Sequence, residues 1–257
     1  NTYSSFLAFF AFCLIASSGY IVNDLLDLKV DKSHPYNKLR PFASGVLSAK
    51  NGLVIFLIFC ILGFFLSLLI GIHFLFLILL YWLLSLLYSF KLKKIIIIDI
   101  FVLGILYTLR IIGGSFATEL QMSLWLFAFS IFFFLSLAAV KRLSELVNLK
   151  DRNLFIIEGR GYSLKDLRIV KFIAILFGFF SLIIIGFYIN SPDILNLYSK
   201  PLSLLGMFLT LGFWLIRIVF LSINGKIDGD PIIYALKDIT SIFCLTAILL
   251  LFMINFI

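Results

Sequence analysis

Charge is what this chain has least of. Asp, Glu, Lys and Arg make up 13% of its 257 residues, against about a quarter in an ordinary soluble domain. That shortage excludes a conventional water-facing surface. Histidine is almost absent too, and His34 and His73 form no pair at metal-binding spacing. The three cysteines, Cys13, Cys60 and Cys244, each lie inside an apolar run with no partner at metal-binding spacing. They read as small packing residues, which excludes a disulfide framework or a thiolate centre. The first apolar run lacks a basic start and a small-residue cleavage site, so it is not a secretory signal peptide.

What the chain has instead is hydrocarbon. Hydrophobic residues account for 63% of it, and the mean hydropathy is +1.17. Lipid solvates such a sequence where water would not. Eight runs are long enough to cross a bilayer: 3–22, 51–72, 74–90, 95–116, 122–140, 169–189, 201–222 and 236–257. The second and third nearly fuse around Gly71 and His73. One continuous helix of roughly 40 residues there would be twice the bilayer thickness, so a tight turn is expected. The fold class is therefore all-α, a polytopic transmembrane helix bundle forming one domain over residues 1–257.

The formal charge is +8, from 21 basic and 13 acidic residues. The cations sit in short loops between apolar runs, which suits membrane orientation and phosphate-bearing substrates and gives no reason to expect nucleic acid. Nineteen of the 21 fall on one side of the eight-span arrangement; Lys200 lies on the other and Arg110 within a span. The positive-inside rule makes the crowded side cytoplasmic. The outer connections are short, at 72–73, 117–121 and 190–200, so chemistry is expected on the cytoplasmic face. Arg110 is expected to pair with Asp99 or with a lipid-borne phosphate, since a charge within a span usually faces a cavity or partner.

The first span runs into Asn23-Asp24-Leu25-Leu26-Asp27-Leu28-Lys29-Val30-Asp31. Asn23, Asp27 and Asp31 recur at i, i+4 and i+8, and Asp24 lies three before Asp27, so a continuing helix projects all four from one face. Clustered carboxylates repel, and acids at a helix C-terminus oppose its dipole. A divalent cation removes the conflict. Mg²⁺ takes one or two carboxylates and fills its shell with water and substrate phosphates, so the pattern reads as a diphosphate–Mg²⁺ site with Asp24, Asp27 and Asp31 as ligands. The following loop, with Pro35, Pro41 and Gly45, returns Lys38 and Arg40 beside the acids. Arg can bind phosphate oxygens in bidentate fashion. Tyr88, Lys91 and Lys93 end a later span on the same side and are candidates for phosphate contact.

The segment NDLLDLKVDKSHPYNKLRPFASG resembles the first aspartate-rich motif, NDxxDxxxD, of the UbiA-type intramembrane prenyltransferase superfamily. The trailing RPxxSG and the later YSFKLK (residues 88–93) agree with it, and the resemblance covers nearly the whole chain. It implies nine transmembrane helices around a cavity open sideways to lipid. With eight visible and the motif normally closing the second helix, it places the family's first helix upstream of Asn1.

Most of that superfamily carries a second aspartate-rich motif at the end of its sixth helix. The equivalent stretch here is Ala138-Ala139-Val140-Lys141-Arg142-Leu143-Ser144-Glu145-Leu146, with two cations and one acid. A second metal ion would find only Glu145, which shares a helix face with Lys141, whereas a second phosphate would find Lys141 and Arg142. Downstream, Arg160 lies in a glycine-flanked loop whose backbone donors could close over an anion. The KRxxEL pattern resembles the branch that includes decaprenyl-phosphate phosphoribosyltransferase, and bacterial relatives fused to a phosphatase-like domain; the segment 230–238 strengthens the second comparison.

The resemblance implies a Mg²⁺-dependent enzyme that moves a phosphoribosyl group from phosphoribosyl diphosphate to a polyprenyl phosphate. The metal would sit on Asp24, Asp27 and Asp31, and Asn23, Lys38, Arg40, Lys91, Lys141, Arg142, Glu145 and Arg160 would bind phosphate groups. It also implies a lipid substrate entering from the bilayer, a bacterial inner membrane, and a phosphatase-like domain or partner upstream. The competing expectation is an aromatic prenyltransferase that joins a polyprenyl diphosphate to a 4-hydroxybenzoate-like or quinone-precursor acceptor.

Overall fold

A computed structural model describes residues 2–33, 37–120, 122–151, 159–189, 191, 201–227 and 230–254. The sequence-based outer connection at 190–200 falls largely outside the described residues, as do His34 and Glu158. Every described segment of length is helical, and no strand occurs among the described residues. The helices are α1 (Thr2–Leu26), α2 (Leu28–Ser33), α3 (Ala49–Ile70), α4 (Ile72–Phe90), α5 (Ile98–Thr118), α6 (Leu124–Asp151), α7 (Leu167–Ile189), α8 (Pro201–Ile223), α9 (Pro231–Lys237) and α10 (Ile239–Met253). Seven of them are long and apolar enough to cross a membrane: α1 and α3–α8.

The expected eighth span is different. α9 and α10 meet at Asp238 with an 82° bend, so that run is a broken pair and not one straight helix. The reason is local: Asp238 has an extended backbone, and its carboxylate accepts the Ser241 amide, starting α10 afresh. Arg217, counted among the cations of the crowded side, lies inside α8 and forms a two-pronged ion pair with that same Asp238, at 2.7 and 2.9 Å. The other expected break is where hydropathy put it. Gly71 separates α3 from α4 at φ +147°, a backbone conformation open to glycine and strained for other residues.

The chain divides into two compact units, residues 1–122 with 158–161, and residues 123–157 with 162–257. In the first, α1 packs on α3, α4 and α5. Its buried core includes Ala8, Ala11 and Ile15 of α1, Phe74, Ile78 and Tyr81 of α4, and Val102, Leu106 and Leu109 of α5. The small α1 residues let the helices approach closely, the usual basis of helix association in lipid. In the second unit, α6 packs on α7 and α8, and α8 on α10. Ser136 donates to the Ala174 carbonyl (2.8 Å), a polar contact between α6 and α7 in an otherwise apolar interface. Large hydrophobics such as Leu57, Ile61, Phe172 and Phe213 remain exposed, as lipid-facing side chains do.

Candidate functional site: a charged cluster in each unit

The first unit gathers the ends of three long helices at one place, hereafter its aspartate end: the C-termini of α1 and α4 and the N-terminus of α5. The helix is interrupted at Asp27, yet its hydrogen bonding survives. The Asp27 amide donates to the Asn23 carbonyl (2.9 Å) and the Asp31 amide to the Asp27 carbonyl (2.8 Å). The i, i+4, i+8 register read from the sequence therefore holds in the backbone.

The side chains do not act as one undivided face. Lys93 Nζ donates to Asn23 Oδ1 (3.0 Å) and Asp27 Oδ1 (2.6 Å). Arg40 Nη1 donates to Asp24 Oδ1 and Asp31 Oδ2, each at 3.0 Å. Asn37 Nδ2 also donates to Asp31 Oδ1 (2.9 Å). Two cations thus sort the four residues into two pairs and offset the repulsion that the sequence pattern predicted. Lys93 is 2% exposed, whereas Lys91 and Lys38 are exposed. Burial pulls the Lys93 ammonium below the usual lysine value of 10.5, and its bond to Asp27 offsets part of that shift.

A loop covers this cluster. Gly159 has φ +78°, and its Cα lies so close that a Cβ there would stand 3.8 Å from Asp27 Oδ1. Arg160 Nη1 donates to Tyr88 Oη (3.0 Å) and reaches Asp99 Oδ1 at 3.5 Å; Tyr88 Oη donates to the same Asp99 oxygen at 2.8 Å. Gly161 is pressed against the chain after α4, where a Cβ would meet the Lys94 carbonyl oxygen at 2.1 Å. Arg160 is therefore fixed on Asp99, the residue that sequence reasoning offered to Arg110. Arg110 instead bonds Tyr81, a correction that follows from position: Asp99 lies in the first turn of α5 and Arg110 three turns further on.

The second unit holds the second cluster on α6. Arg142 is fully buried, pairs with Glu145, and has its guanidinium 6.0 Å from the centre of the Tyr162 ring. Lys141 pairs with Asp230, which also caps α9 by accepting the Ile232 amide (2.9 Å). Sequence spacing had matched Glu145 to Lys141; the structure gives it to Arg142. Burial pushes the Asp230 carboxyl up, but the Lys141 charge and hydrogen bond, with backbone donors, outweigh it and hold the group below 3.8. In the sequence Asp230 belongs to a segment that carries only a resemblance, and no local signal ties it to a lysine 89 positions away.

The donor chemistry of the first cluster fits a Mg²⁺ ion of the open kind. Among the described residues no three His, Cys, Asp or Glu side chains converge on one point. Asp24 and Asp27 instead offer carboxylates on adjacent pairs, each already facing a cation that a metal–diphosphate could replace or join.

Comparison with known proteins gives the family. The UbiA prenyltransferase family matches residues 2–217, and the chain belongs to that family. The uncharacterized protein y4nM of Sinorhizobium fredii is 37% identical over 236 residues, 91% of this chain and 46% of that protein, so the chain spans about half its length. Nodulation protein NoeC of Azorhizobium caulinodans is 32% identical over 244 residues, 95% of this chain and 80% of that one. Decaprenyl-phosphate phosphoribosyltransferase of Mycolicibacterium smegmatis is 31% identical over 140 residues, 54% and 44% of the two chains. A UbiA homolog from Archaeoglobus fulgidus, solved with GPP and Mg²⁺, shares the fold with a TM-score of 0.69 at 14% identity, over 96% of this chain and 87% of its own. The chain is thus a member of this family with seven helices of membrane-crossing length and apolarity among the described residues.

Proposed function

We propose that this protein transfers a phosphoribosyl group from phosphoribosyl diphosphate to a polyprenyl phosphate, with Mg²⁺ as cofactor, at the cytoplasmic face of a bacterial inner membrane. The observation that carries the reading is the chemistry of the α6 cluster. Two cations, Lys141 and Arg142, stand where an acidic metal-binding motif would serve a second ion. Phosphoribosyl diphosphate carries a 5-phosphate besides its diphosphate, so a donor of that kind needs phosphate-binding cations at a second place. The similarity to decaprenyl-phosphate phosphoribosyltransferase over 140 residues supports the same reading.

In this scheme Asp24 and Asp27 would hold the metal, Asp31 would support them through the Arg40 bridge to Asp24, and Asn23 would orient the diphosphate. Lys38, Arg40, Lys91 and Lys93 supply positive charge to the phosphate oxygens, and so does Arg160. Lys141 and Arg142 bind the 5-phosphate, and Glu145 keeps Arg142 in place. An oxygen of the polyprenyl phosphate bonds to ribose C1 as the bond from C1 to the diphosphate oxygen breaks, and diphosphate leaves with the electron pair. The phosphate nucleophile is already ionised at neutral pH, so no protein base is required. The metal supplies charge neutralisation to the leaving diphosphate.

Prenyl transfer to an aromatic acceptor is the second reading, favoured by the fold neighbour solved with GPP and Mg²⁺. One experiment separates them. Purified protein in mixed micelles with Mg²⁺ receives labelled phosphoribosyl diphosphate and polyprenyl phosphate in one tube, and polyprenyl diphosphate and 4-hydroxybenzoate in another. Labelled lipid from the first tube alone is expected; product from the second alone refutes phosphoribosyl transfer.

A further inference from the structure

Arg110 takes no part in either charged cluster. It follows Asp99 by 11 residues on α5, about 16 Å along the helix from the aspartate end. Its Nη2 donates to Tyr81 Oη (2.9 Å), and its guanidinium carbon lies 5.6 Å from the Tyr81 ring centre and 5.3 Å from that of Tyr107. Its Nε is buried and has no hydrogen-bond partner among the described residues. Tyrosines offer this cation a phenol oxygen and two ring faces, but no negative charge. A cation inside a span without a counter-charge is costly, and such residues usually face a cavity or a partner.

A cavity of about 530 Å³ adjoins Arg110 within the first unit, lined among others by Ser5, Phe9 and Cys13 of α1 and by Gly114 and Thr118 of α5. Phe9 and Cys13 of this lining are exposed among the described residues. Ser5 and Thr118 stand at the helix ends remote from the aspartates, and among the described lining residues only Arg110 is charged. The remaining walls are hydrocarbon. That composition suits a ligand with an apolar body and one anionic group.

We propose that this cavity binds an anionic amphiphile, with Arg110 as counter-ion to a phosphate or carboxylate and the chain of the ligand along Phe9 and Phe12. The shared chemistry is an oxyanion on a hydrocarbon chain, whether from a phospholipid head group or a fatty acid. The distance along α5 makes this site distinct from the place where a substrate diphosphate would meet Asp24 and Asp27, and the inference stands whichever group the enzyme transfers.

The test is thermal unfolding of delipidated full-length protein in a neutral detergent. The probes are phosphatidylglycerol, oleate, phosphatidylcholine and inorganic phosphate, added separately. Phosphatidylglycerol or oleate should raise the wild-type melting temperature by about 5 °C, with phosphatidylcholine and inorganic phosphate silent. The probe that acts identifies the source of the oxyanion. Arg110→Gln should abolish the shift and Arg110→Lys should keep part of it. Gly114→Leu should also abolish it: a Cβ at Gly114 meets nothing within 4 Å, so this variant fills the cavity while leaving the arginine in place. An equal shift in wild type, Arg110→Gln and Gly114→Leu overturns the proposal. So does a shift from inorganic phosphate alone, or the absence of a shift with every probe.

Discussion

Lys93 Nζ lies 2.6 Å from Asp27 Oδ1, although the two residues stand 66 positions apart in the chain. The contact puts a buried ammonium on the acid at the centre of the aspartate motif. Burial holds that ammonium below 10.5, so in the alkaline window beneath that value the unfolded chain binds more protons than the folded one. Stability therefore rises with pH through the window, is fully gained above 10.5, and is lost as pH falls through the folded value. Lys93→Met should remove this slope. Melting curves of the two proteins in detergent between about pH 8 and about pH 10.5 would show it, and parallel curves would contradict the buried-ammonium account.

Asp27→Asn should lower turnover by about 10²–10³-fold, the range seen when one preorganised electrostatic group is lost. The substitution keeps an oxygen at the position that accepts Lys93, so the protein should remain folded. Turnover at saturating Mg²⁺, read beside the size-exclusion profile, checks both statements. Unchanged turnover would remove Asp27 from the metal assignment.

Gly161→Ala should destabilise the protein by about 1–3 kcal/mol, because the added methyl has no room against the Lys94 carbonyl and the loop must move. Movement there draws Arg160 off Tyr88 and Asp99. The measurable outcome is a lower melting temperature than that of Gly114→Ala, whose Cβ enters open space.

Asp230→Asn should keep the cap on α9 while losing the ion pair with Lys141. The Asp230 carboxyl is held below 3.8, so its contribution is complete above that value and disappears as pH falls through the lower folded value. Wild type should lose more melting temperature than the variant between about pH 6 and about pH 3. Equal losses would mean that the pair contributes nothing to folding.

Much of this was legible because the signals are local. Gly71 was marked as a break by length alone, since no bilayer accommodates the fused run. The i, i+4 recurrence of Asn23, Asp27 and Asp31 needs only helix geometry, and the backbone bonds at Asp27 and Asp31 retain it. The bend at Asp238 was not legible, because hydropathy averages over a window and the stop comes from one carboxylate bonded to Arg217 and Ser241. Lys91 and Lys93 look alike in sequence, and only packing buries one and exposes the other.

By itself, then, the sequence determined the solvent, the helices and which helix ends carry charge, because apolar length and residue spacing act within a single segment. Tertiary structure alone decided which cation meets which acid: Lys93 on Asp27, Arg40 across Asp24 and Asp31, Arg160 on Asp99, Asp230 on Lys141. Partners separated by up to 89 positions leave no periodic trace in the chain, and in a site crowded with charges of both signs the pairing follows from where the packed helices bring their ends.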